Sequence, residues 1–212
     1  MDVHRFKQLP VLGILRCDAD VAIEELVGAV ISSGLTTIEI AMNSVNAASL
    51  IRRAIKAASG RLTVGAGTVV TPELLADALD AGATFVVMPV LIGNLVTECV
   101  RKKIPVFPGA LTPQEIYNAW NAGATMVKVF PAGVFGPAYF KEIKAPLPGI
   151  ELLACGGVTP ENAGLHFKNG ASAIAFGSSI FRKEWLQKHD FKRIEESVKS
   201  IITASRSAIN NP

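Results

Sequence analysis

No stretch of this 212-residue chain stays apolar over the roughly 18 or more residues that a membrane-spanning helix requires, although half of its residues are hydrophobic and the mean hydropathy is +0.36. The apolar content is therefore expected to fill a large interior, or to be shared across an oligomer. Residues Met1 to Lys7 lack the apolar core of a secretory signal, so a cytoplasmic protein is the expectation. Cysteines are few. Cys17, Cys99 and Cys155 are scattered without Cys-x-x-Cys spacing, which fits reduced thiols better than a disulfide framework or a zinc site. His4, His166 and His189 show no metal-ligand spacing either, and no metal is expected. A net charge of +3 with dispersed Lys and Arg is not the footprint of a nucleic-acid binder, though it allows a local basic pocket for an anionic metabolite.

What the chain does have is a repeat. Thr71-Pro72-Glu73, Thr112-Pro113-Gln114 and Thr159-Pro160-Glu161 each place a capping threonine before a proline at the first helical position. A glycine follows 11 residues after each threonine, at Gly82, Gly123 and Gly170, and each is expected to open a strand. The threonines recur after 41 and 47 residues, too long for one strand-helix unit and right for two.

Apolar runs supply the remaining strands. Pro10 to Arg16, Thr37 to Met42 and Leu62 to Thr68 precede the repeat, while Ile104 to Pro108 and Ile150 to Cys155 fall within it. A short leading helix covers about residues 2 to 8, Asp18 or Asp20 can cap the next helix, and another runs from about Ala47 to Ala58. A last helix runs from about Phe191 to Ile209. Eight strands alternating with helices predict parallel pairing and right-handed crossovers. The expectation is one α/β domain over residues 1–212, a (β/α)8 TIM barrel with a short N-terminal helix. No Gly-x-Gly-x-x-Gly follows the first strand, which argues against an open dinucleotide-binding sheet.

In a barrel the reacting groups sit at the C-terminal ends of strands. Arg16, Glu39, Thr68, Pro89, Pro108, Lys128, Cys155 and Gly177 are expected there. Lys128 stands in the almost wholly apolar run Thr125 to Ala132. A lysine can snorkel to an edge, but Val127, Val129 and Phe130 reduce that option. An apolar interior favours the neutral forms of both a carboxyl group and an amine, so Glu39 and Lys128 together describe a general acid/base beside a nucleophile. Gly156-Gly157 after the seventh strand and Gly177-Ser178-Ser179 after the eighth occupy the usual phosphate position of this architecture, and the paired turns point to phosphate. Cys155 reads as a small buried residue facing the ligand.

These residues resemble the 2-keto-3-deoxy-6-phosphogluconate and 4-hydroxy-2-oxoglutarate aldolase family, the class I pyruvate aldolases. The resemblance runs from Gly13-Ile14-Leu15-Arg16 to Phe176-Gly177-Ser178. Its most specific parts are Ile38-Glu39-Ile40, Gly65-Ala66-Gly67-Thr68, Val127-Lys128-Val129-Phe130-Pro131-Ala132 and Gly156-Gly157-Val158. It implies a cofactor-free lyase, commonly a homotrimer, in a sugar-acid degradation route of the Entner-Doudoroff kind. By resemblance Lys128 is the Schiff-base lysine and Glu39 the acid/base. Arg16 and Thr68 hold the pyruvyl carboxylate, and Gly156, Gly157, Gly177, Ser178 and Ser179 hold the phosphate. The implied substrate is a phosphorylated 2-keto-3-deoxy sugar acid, split into pyruvate and glyceraldehyde 3-phosphate.

Departures from the family pattern fall on the pocket. Asn43 stands where gluconate-type enzymes carry arginine; Asn43-Ser44 and Phe135-Gly136-Pro137-x-Tyr139 are closer to the galactonate type. Cys155 replaces a threonine or a valine, and Met88, beside Pro89, replaces a small hydroxyl residue. Asn43, Met88, Pro89, Phe130 and Cys155 are therefore expected to shape specificity. Three rival functions remain: a 4-hydroxy-2-oxoglutarate aldolase releasing pyruvate and glyoxylate, a phosphate-binding barrel isomerase or epimerase, and a catalytically silent barrel that binds a phosphometabolite.

Overall fold

The computed structural model describes residues 1–17 and 21–210. Asp18 and Asp20, the two expected helix caps, lie outside the described residues. The strands are β1 (Val11–Leu15), β2 (Thr37–Ala41), β3 (Thr63–Gly67), β4 (Val86–Val87), β5 (Val106–Phe107), β6 (Gly109–Ala110), β7 (Val127–Val129), β8 (Leu152–Cys155) and β9 (Ala173–Phe176). All pairings are parallel, in the order β5-β4-β3-β2-β1-β9-β8-β7-β6.

The two ends of that order, β5 and β6, are consecutive in the chain and separated only by Pro108, so the sheet closes on itself. The expected fifth strand is thus one staff in two halves, displaced toward Ala110. Proline has no N–H to give to a ladder, and the strand is interrupted there. The Pro108 carbonyl still accepts from the Lys128 N–H at 2.9 Å. Eight strands plus this interruption make the TIM barrel.

The helices are α1 (Val3–Gln8), α2 (Ile23–Ser32), α3 (Ala47–Ala58), α4 (Pro72–Asp80), α5 (Gly93–Arg101), α6 (Pro113–Asn121), α7 (Ala138–Lys144), α8 (Pro160–Lys168), α9 (Lys183–Gln187) and α10 (Phe191–Asn210). Thr71, Thr112 and Thr159 are the N-caps of α4, α6 and α8, with proline at the first helical position each time. The three glycines do something other than open strands. Gly82, Gly123 and Gly170 have φ of +94°, +100° and +95° and terminate the helices. A left-handed residue just past a helix is where glycine carries no Cβ penalty. The strands begin later, at Val86, Val127 and Ala173.

Period-two alternation sorts the strand residues into two layers. Leu12, Phe85, Val87, Phe107, Leu153, Cys155, Ala173 and Ala175 fill the barrel, while Val86, Met88, Val127, Val129, Leu152 and Ile174 pack under the helices. Phe6 of α1 joins the inner group, its ring 6.1 Å from Phe107, so the leading helix plugs one end of the barrel. The interior is left open at the end where the strands terminate in Arg16, Thr68 and Gly156. Among the described residues no helix is long and apolar enough to cross a membrane.

Candidate active site

A cavity of about 700 Å³ opens at the C-terminal ends of the strands. Lys128, the middle residue of β7, lines it and is only 6% exposed. Its flanking residues Val127 and Val129 lie in the outer layer, so alternation turns Lys128 inward. Its Nζ sits 5.1 Å from the centroid of the Phe130 ring, within range of a cation–π attraction.

Glu39, the middle residue of β2, faces the same cavity and is 1% exposed. Its neighbours Ile38 and Ile40 pack outward. Gly67 follows two places along from Gly65, the β3 partner of Glu39, and the carboxyl group lies over it. An ideal β-carbon at Gly67 would come within 2.2 Å of Glu39 Oε1. Oε2 is buried and has no hydrogen-bond partner among the described residues. Burial raises the Glu39 pKa above the ordinary carboxyl value, while the charges of Lys128 and Arg16 pull it back. A carboxyl group so balanced can both accept and return a proton.

Arg16 follows β1, and its Nη2 donates a long hydrogen bond of 3.5 Å to Thr68 Oγ1. Thr68 has φ of +56°, a left-handed conformation that costs a β-branched residue about 1–2 kcal/mol. The chain next to Arg16 is held from both sides: Cys17 N–H donates to Ser44 Oγ at 3.0 Å, and Val45 N–H donates to the Cys17 carbonyl at 3.0 Å. The loop containing Asn43 and Ser44 thus buttresses Arg16.

Gly156 and Gly157 have φ of +88° and +79°, a consecutive left-handed pair that side chains would oppose. Their carbonyls are already committed, Gly156 O to the Gly133 N–H at 2.9 Å and Gly157 O to Asn162 Nδ2 at 2.8 Å. Ser179 Oγ donates to the Val158 carbonyl at 2.8 Å. That hydroxyl ties the two glycine turns together, so any part Ser179 takes in anion binding falls to its backbone. Cys155 is 2% exposed beside Lys128, and burial pushes its thiol up to about 11 against the nearby cation. It is no nucleophile at neutral pH.

Arg16, Glu39, Thr68, Pro89, Lys128, Phe130, Cys155, Gly156, Gly157, Gly177, Ser178 and Ser179 all line the cavity. Two expected pocket residues do not. Met88 is fully buried in the outer layer with Val86, because Val87 between them takes the inward position. Asn43 is exposed on the β2–α3 loop. The cavity also takes in Cys17, Lys183, Leu186 and Gln187, which sequence reasoning missed. The last three sit on α9, whose five residues are too few for a periodic signal, although their spacing of three and four residues matches one helix face.

A model of the KDPG and KHG aldolase family matches residues 3–197. The 2-dehydro-3-deoxy-6-phosphogalactonate aldolase of Escherichia coli is 33% identical over 204 residues, covering 95% of this chain and 97% of its own. The 2-dehydro-3-deoxy-phosphogluconate aldolase of Pseudomonas aeruginosa is 30% identical over 190 residues, with 89% and 86% covered. The solved structure described as native KDPGal superimposes with a TM-score of 0.87 at 32% identity, covering 96% of this chain and 97% of that one.

Proposed function

This chain belongs to the KDPG and KHG aldolase family, and from that premise we propose that it cleaves a 2-keto-3-deoxy-6-phospho sugar acid, of gluconate or galactonate type, into pyruvate and glyceraldehyde 3-phosphate. It is a lyase of the class I pyruvate aldolase kind. The observation that carries the residue assignment is a buried carboxyl group, one oxygen of which has no hydrogen-bond partner among the described residues, in one cavity with a buried lysine.

Lys128 Nζ adds to the C2 carbonyl, and loss of water leaves an iminium ion. Glu39 takes the proton of the C4 hydroxyl. The C3–C4 bond then breaks, its electron pair passing into the iminium to give an enamine while the aldehyde departs. The same carboxyl group returns its proton to C3. Water hydrolyses the resulting iminium, freeing pyruvate and restoring the amine. Arg16 and Thr68 hold the substrate carboxylate, an orienting role. The Gly156-Gly157 and Gly177-Ser178-Ser179 turns receive the phosphate through backbone N–H groups.

The proposed assembly is a homotrimer in the cytoplasm, one barrel per subunit. Support for association comes from Val90, Val134 and Phe135, large apolar side chains 54%, 65% and 56% exposed, since apolar surface of this kind favours a partner. The functional test couples pyruvate release to an NADH-consuming reductase, with the gluconate and galactonate epimers as substrates. Turnover of at least one is expected; no pyruvate from either contradicts the proposal.

A further inference from the structure

The glycine turn after β9 leads into α9, which brings Lys183, Leu186 and Gln187 to the cavity wall. The start of this helix is firmly tied down. Ile180 and Phe181 N–H groups both donate to the Gly177 carbonyl, at 3.0 and 2.8 Å, and the Phe181 ring lies 5.5 Å from that of Phe176. Two cations follow in succession, and they part company. Arg182 stacks 4.6 Å over the Trp185 ring and donates from Nε to the Ser179 carbonyl at 3.4 Å. Lys183 lines the cavity, with Gln187 one turn further along the same face.

Topology fixes which end of a ligand these residues can meet. β8 and β9 are neighbours, so both glycine turns and the first residue of α9 belong to the same side of the cavity mouth. Backbone N–H groups in such turns offer dipoles but no net charge. A lysine adds a full positive charge, which tells a dianion from a neutral hydroxyl far better than dipoles do.

We propose that Lys183, assisted by Gln187, is the residue through which this enzyme selects substrates carrying a terminal phosphate monoester. The inference rests on the aldolase function stated above and deepens it: the glycine turns shape the distal subsite, and Lys183 makes it selective for a dianion.

The test compares kcat/KM for one 2-keto-3-deoxy sugar acid with and without its 6-phosphate, in the wild type, Lys183→Met and Lys183→Arg. Met keeps the apolar stem of the side chain and removes the charge. The ratio of phosphorylated to unphosphorylated kcat/KM is expected to fall about tenfold in Lys183→Met, mainly through KM, and to stay within about threefold of wild type in Lys183→Arg. An unchanged ratio in Lys183→Met, or an equal fall in both variants, overturns the proposal. Borohydride trapping of pyruvate on Lys128 separates the two levels. No adduct in the wild type removes the aldolase function and this inference with it; an adduct in the wild type and Lys183→Met with an unchanged ratio removes this inference alone.

Discussion

Oε1 of Glu39 occupies the space into which a β-carbon on Gly67 would project, 2.2 Å from its ideal position. The carboxyl group is seated on bare backbone, and the seat exists only because residue 67 has no side chain. Gly67→Ala should push the carboxyl group out of line and lower kcat by about 100-fold, since small misplacements at a reacting centre cost about that much. Trapping of pyruvate on Lys128 should survive in the same variant. Wild-type kcat in a folded Gly67→Ala protein would show that the seat does not matter.

Glu39→Gln removes the proposed proton carrier while keeping the shape. Turnover should drop by about 10²- to 10⁴-fold, the usual contribution of a positioned acid or base, with the pyruvate imine still forming. Rapid-quench measurement of imine formation against steady-state turnover distinguishes the steps. Equal losses in both would place Glu39 in imine formation rather than bond cleavage.

Much of this arrangement was legible in the sequence, and the reasons differ by residue. The threonine-proline starts of α4, α6 and α8 carry a local mechanism, so they needed no tertiary information. Glu39 and Lys128 stood out because charged residues are rarely buried without purpose. Met88 is expected in the pocket on the family pattern alone, and periodicity could not contradict that, because Phe85 to Met88 is apolar on both faces, as parallel strands tend to be, and a shift of one residue moves a side chain to the other layer. The break at Pro108 depends on which strand half pairs with β4 and which with β7, a relation between distant parts of the chain. The use of α9 as a cavity wall is tertiary in the same way.

His166 gives the fold an acid-sensitive point. It is 1% exposed, meets Phe140 edge-on at 5.3 Å between ring centroids, and its Nδ1 has no hydrogen-bond partner among the described residues. Burial lowers its pKa from 6.5 to about 4. The unfolded chain therefore binds this proton more readily than the folded one, so the stability contribution is complete above about pH 6.5 and is lost as pH falls toward 4. The loss is on the order of 2–3 kcal/mol. Urea unfolding at pH 7 and pH 4.5 should show a smaller difference in His166→Leu than in wild type; an identical difference would remove His166 from the account.

Cys155 should resist alkylation. With its thiol pushed up to about 11 and only 2% of its surface exposed, it stays protonated and shielded at pH 8. Peptide mapping after iodoacetamide treatment should find Cys155 unmodified in the native protein and modified after denaturation. Rapid native labelling would mean that the thiol is both ionised and accessible, contrary to its surroundings here.

The central claim is that the buried amine of Lys128 forms the covalent bond to substrate. Borohydride reduction in the presence of pyruvate, followed by mass mapping, addresses it directly. The account predicts a reduced pyruvyl adduct on the peptide containing Lys128, absent in Lys128→Ala protein that remains folded. An adduct on a different lysine, or sugar-acid cleavage retained in Lys128→Ala, would contradict it.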